Sequence, residues 1–91
     1  MPAVSRITDN CTGHTGCPPR PADQGSDNVF VNNLNCHRQT DSWVTHCDHP
    51  GNLTSGSSTV FVNNLQCSRI GDPVNEGSVV AQGSSNVFAG G

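Results

Sequence analysis

Three histidines and one cysteine stand at spacings that could hold a metal ion. His14 is followed three positions later by Cys17, and His46 three positions later by His49. Each pair lies five and eight residues after an aspartate, Asp9 in the first case and Asp41 in the second. A third aspartate, Asp72, has Gly77 and Val80 at those offsets and supplies no ligand. Three imidazoles and one thiolate in four-coordinate geometry suit Zn2+, with iron as the alternative. A set made wholly of side chains leaves no position open for water, so the metal would be structural. Cys47, inside the run HCDH at 46–49, could replace one of the histidines. The same run does not read as a nucleophile and its base, because neighbours on one loop rarely orient each other in that way. Paired carboxylates, a Ser/His/Asp order and phosphate-cradling glycines lack support, so the expectation is a protein that is not an enzyme.

The elements that must position these residues come in three copies. An arginine stands three before each aspartate, at Arg6/Asp9, Arg38/Asp41 and Arg69/Asp72. Further on, GSDNVFVNN (25–33), GSSTVFVNN (56–64) and GSSNVFAGG (83–91) repeat nearly the same nine residues. The units are therefore 3–33, 34–64 and 65–91, the third being shorter in the loop after its aspartate. Each reads as strand, turn at the aspartate, loop, Gly-Ser turn and strand, which makes the fold mainly β. Gly25, Gly56 and Gly83 are expected to supply a permissive backbone at the second turn. One hairpin of this kind cannot bury its apolar face alone, but three arranged around an axis can. Loops at equivalent places about such an axis converge, which could bring His14, Cys17, His46 and His49 together. The Arg/Asp pairs recur with the fold and are read as structural.

Strand alternation puts Phe30, Phe61 and Phe88 on one face and Val29, Val31, Val60, Val62, Val87 and Ala89 on the other. One face must fill the core, and the other is free to meet a partner. Which does which is open, so all nine are candidate partner-binding residues.

Composition explains why a staple is needed. The 91 residues are 32% hydrophobic, with three Phe, one Trp and no Tyr. So small a chain with so few bulky side chains usually needs disulfides, a metal or association. The net charge of −3, with only four basic residues, offers no footprint for nucleic acid. The start, MPAVSRITDN, lacks a basic segment followed by an apolar one, so folding in a reducing cytoplasm is expected. There, five cysteines are better read as ligands or packing than as a disulfide framework. Cys36 and Cys67 share one place in their units, where Val4 stands in the first, and are expected to be buried, reduced and apolar in role. Cys11 has no partner in register. His37, where the other units have Ser, is expected at the surface. Trp43 could pack beneath the loops or be exposed.

The steps AVSR (3–6), NCHR (35–38) and QCSR (66–69), with the Gly-Ser-x-x-Val-Phe strands, resemble the repeats of PAAR proteins. The nearest stretch is SRIGDP (68–73). None of the three steps is literally Pro-Ala-Ala-Arg, and Thr8 and Thr40 stand where the third unit has Gly71. The resemblance implies a small cone-shaped domain on the blunt end of a trimeric β-helical spike, one copy per trimer, with only its tip contacting the target envelope. It also implies zinc held near the apex by three His and one Cys, which agrees with His14, Cys17, His46 and His49. Three similar units would present a pseudo-threefold base to a threefold partner. With no room for an added toxin or adaptor, the expectation is a phage tail baseplate tip, carried in the virion after cytoplasmic folding. The alternatives are a spike tip secreted by a type VI machine and a free-standing small zinc-binding module.

Overall fold

The computed structural model describes residues 1–47 and 49–91, with the side chains of His46 and Glu76 outside the description. Six short strands pair into three antiparallel hairpins: β1 (Phe30–Val31) with β2 (Leu34–Asn35), β3 (Ser42–His46) with β4 (His49–Asn52), and β5 (Phe61–Val62) with β6 (Leu65–Gln66). The described residues hold no α-helix, only one 3-10 turn, Asn75–Gly77.

The hairpins β1–β2 and β5–β6 join the end of one sequence unit to the start of the next. Their two-residue turns are Asn32-Asn33 and Asn63-Asn64, with φ of 53° and 66° in both cases. Two successive left-handed residues make the turn whose twist matches paired strands, and asparagine tolerates that conformation better than most residues. The third such junction is made by the two ends of the chain. Ala3 bridges Phe88, and the Val4 N–H donates to the Val87 carbonyl at 2.9 Å. Cys36 to Val29 and Cys67 to Val60 make the same bond at 2.9 and 3.0 Å.

On the axis, the N–H of Ser5 donates to the Ser68 carbonyl (2.9 Å), that of Ser68 to His37 (3.1 Å) and that of His37 to Ser5 (3.1 Å). This closed ring of main-chain bonds has an apolar cluster on either side. One consists of Val4, Cys36 and Cys67 with Val31, Val62 and Ala89. The other consists of Cys11, Trp43 and Val74, each two residues after its aspartate, with Ala22, Leu53 and Val80. Cys11 therefore does have counterparts in register, as an apolar residue. Trp43 is buried beneath the loops, its indole N–H donating to the Asp9 carbonyl at 3.1 Å. Gly51 opposes it in the β3–β4 ladder and leaves room for the ring. Cys36 and Cys67 are buried free thiols, their sulfurs 3.8 Å apart. The contact with Cys67, together with burial, pushes the Cys36 thiol well up.

The repeated nine residues have a physical reading. Ser26, Ser57 and Ser84 are buried, and each hydroxyl accepts the N–H of the valine three residues on, at 2.9 Å. The glycine before each serine lies against a neighbouring main chain. A Cβ at Gly25 would stand 3.0 Å from the Cys36 carbonyl oxygen, one at Gly83 2.8 Å from that of Val4, and one at Gly56 would overlap that of Cys67. These glycines provide close approach rather than an unusual φ, which corrects the expectation of a permissive backbone. Each arginine grips its aspartate through the guanidinium and the main-chain N–H, at 2.8 to 3.1 Å, and this holds the arginine further up than usual. Arg6 and Arg38 also reach the hairpin turns at Asn32 and Asn63, both at 3.0 Å. The turn inside each Arg–Asp step needs a left-handed residue: Thr8 (φ 78°), Thr40 (φ 77°) and Gly71 (φ 91°). A β-branched side chain is strained there. We expect Thr40→Gly to raise unfolding stability by about 0.5–1 kcal/mol. Gly56→Ala should lower it by about 1–3 kcal/mol, both read by denaturant titration.

His37 is fully buried, contrary to the surface position expected. Alternation sends Cys36 into one cluster and turns His37 to the other side, onto Trp43 at a ring separation of 4.0 Å. Its Nδ1 lies 2.8 Å from the Gln24 carbonyl, which can only accept, so Nδ1 carries the proton. Burial lowers its pKa. The neutral imidazole is therefore the folded form. Its contribution to stability is full above the unfolded value of about 6.5 and is lost as pH falls through the depressed folded value. The thermal midpoint is expected to drop on acidification below about pH 6.5, and to drop less steeply in His37→Ser, which installs the residue found at positions 5 and 68.

Candidate metal centre

His14 and Cys17 face each other across a two-residue turn. The His14 N–H donates to the Cys17 carbonyl at 3.1 Å, and the reverse bond is 2.7 Å. Gly16 takes φ 80° within the turn, and Gly13 takes φ 70° just before it, where a Cβ would overlap the Cys17 carbonyl. His46 and His49 are the corresponding pair at the end of β3–β4, beside a turn that Cys47 enters at φ 47°. The offsets of five and eight thus mark the residues flanking two tight turns. At the same offsets in the third loop, Gly77 ends the 3-10 turn and Val80 is buried.

The two turns meet. Donor atoms of His14, Cys17 and His49 all lie within 4.8 Å of one another. The two imidazoles are nearly parallel, at 10°, and their Nε2 atoms approach to 2.9 Å. His49 Nδ1 is 3.3 Å from the Pro50 carbonyl, an arrangement that leaves the Nε2 lone pair facing His14. Tetrahedral zinc would separate two nitrogens by about 3.3 Å, and a nitrogen and sulfur by about 3.6 Å. The His14 and His49 nitrogens are within a few tenths of an ångström of that spacing, and with the Cys17 sulfur within 4.8 Å of them the three residues can gather around such an ion. The side chain of His46 lies outside the described residues.

Cys17 departs from expectation in one respect. Its sulfur is bonded to that of Cys47, a bridge across 30 residues with the Cα atoms 5.7 Å apart. Comparison of the units could not reveal this, because the bridge joins different offsets, 17 − 9 = 8 and 47 − 41 = 6. The left-handed turn at Cys47 carries its side chain to the neighbouring loop. Closing a loop of this size restricts the unfolded chain by about 3–4 kcal/mol on the chain-entropy model.

At the strands, Phe30, Phe61 and Phe88 are 55%, 55% and 50% exposed, whereas Val31, Val62 and Ala89 are buried. Val29 and Val87 pack partly against the core, and Val60 is exposed. The valine face fills the core, and the phenylalanine face is outward. Among the candidate partner residues, Val31, Val62 and Ala89 are thereby withdrawn from the surface.

A mainly β chain of short hairpins, with a His/Cys/His group able to hold a metal, is the class defined by fold and site. The PAAR motif family matches residues 12–82, and the chain belongs to it. Proteins of this family are spike tips of contractile injection systems. None of the curated proteins compared with the chain matches it.

Reduced protein is expected to carry one divalent ion per chain, measured by elemental analysis. His14→Ala/His49→Ala should weaken zinc binding by more than about 100-fold. Full retention by that variant would remove the site.

Proposed function

We propose that this protein caps and sharpens a trimeric β-helical spike, one copy per trimer, and that the spike belongs to a contractile phage tail baseplate. The observation that carries this reading is the set of three outward phenylalanines on near-equivalent strands. Apolar rings left half in water at three matching positions favour a partner with three matching patches. Phe30, Phe61 and Phe88 are the contact residues, with the exposed Val60 and the edges of Val29 and Val87 beside them. The chain is read as one domain of three pseudo-repeats, 3–33, 34–64 and 65–91, which the recurrent Arg–Asp and serine-turn contacts support.

At the opposite end, zinc held by His14, Cys17, His46 and His49 would brace the loops. It would supply a structural cross-link between two turns and no chemistry. The role is read as mechanical rather than catalytic. A virion location follows from the phage reading. A type VI spike would use the same base and differ in its partner.

The test is binding to an isolated spike trimer. Phe61→Asp should fold, keep its metal and bind at least about 30-fold more weakly, as expected for an apolar anchor at an interface centre. Phe30→Asp and Phe88→Asp should act alike. Unchanged affinity in all three would sink the docking surface.

A further inference from the structure

Cys17 is placed for two roles that one sulfur cannot fill together. It lies within 4.8 Å of the donor nitrogens of His14 and His49, and it is bonded to Cys47. The ligand form of cysteine is the thiolate; a disulfide sulfur carries no such charge. We propose that metal binding and the Cys17–Cys47 bridge are mutually exclusive states of this site, so that thiol oxidation governs its loading. The proposal rests on the metal-centre reading above and adds its regulation.

Both states join the same two turns. In the oxidised state the join is the covalent bond from Cys17 to Cys47. In the reduced state it is shared coordination by His14 and Cys17 on one turn and His49 on the other. The chemistry balances with an organic disulfide and its thiol as the redox partner. To form the bridge, the two protein thiols give up two protons and two electrons, and glutathione disulfide is reduced to two glutathione thiols. To reopen it, a dithiol reduces the bridge to two protein thiols and itself becomes a disulfide. On loading, the Cys17 thiol releases one proton to solvent. Cys11, Cys36 and Cys67 are buried and free, outside this exchange.

The exchange can be followed on the intact chain. Thiols are counted by mass after denaturation and alkylation, and zinc affinity is measured by competition with a chelating dye. Protein reduced with a dithiol should show five free thiols and bind one zinc. Metal-free protein treated with glutathione disulfide should show three free thiols and bind zinc more than about 100-fold more weakly. Prior zinc loading should slow bridge formation. Cys47→Ser should bind zinc equally well in both buffers, and Cys17→Ser weakly in both. If protein with a mapped Cys17–Cys47 bridge binds zinc as tightly as the reduced form, the coupling is wrong and the metal site stands. If reduced wild type takes up no zinc, both fail. The wild-type comparison decides even where a variant does not fold.

Discussion

Three main-chain hydrogen bonds, from Ser5 to Ser68 to His37 and back to Ser5, tie together segments far apart in the chain. A closed ring of three donors and three acceptors pairs these main-chain groups with one another, while the buried Ser5 and Ser68 hydroxyls and His37 Nε2 beside it find no protein partner among the described residues. It also dictates side-chain direction. The residue before each ring member must face one apolar cluster, giving Val4, Cys36 and Cys67, and the ring residue itself must face the other way. Small or flat side chains stand there: two serines, and an imidazole packed at a tilt against Trp43.

The rest of the molecule extends this ring outward. Beyond it, each Arg–Asp clamp fixes the turn from which a loop departs, and two of the arginines lock onto the asparagine turns of neighbouring hairpins. Each cluster has about six side chains, so neither is a thick core. The loops after Asp9 and Asp41 have little to pack on beyond Cys11 and Trp43. A covalent or coordinate join between them compensates where burial cannot.

Much of this was legible in the sequence because identical interactions demand identical residues. The Arg–Asp spacing, the Gly-Ser strands and the offsets of the two turns each mark one contact made repeatedly. The resemblance carried by those motifs agrees with the family match. Repeated motifs do not mark whatever differs between copies. His37 reads as a surface residue when compared with Ser5 and Ser68, and only the volume left beside Trp43 reveals it as buried. The Cys17–Cys47 bridge joins unlike positions, so alignment of the units hides it. The repeats single out Gly25, Gly56 and Gly83, but the cause is a neighbour's carbonyl, which no local pattern encodes.

The near-equivalence of the three phenylalanine positions has an effect on recognition that contacts alone do not describe. To a partner with perfect threefold symmetry, this face would offer three rotational settings of almost equal energy. Such degeneracy adds RT ln 3, about 0.65 kcal/mol, to the favourable free energy of association. It also means that any encounter is at most 60° from an acceptable setting, which shortens the rotational search. The differences that remain, such as the more exposed Val60 and the glycines at 90 and 91 in place of paired asparagines, would bias the choice among settings without forbidding any. An off-axis feature at the far end, such as the join between two of the three loops, would then point in one of three directions on otherwise identical assemblies.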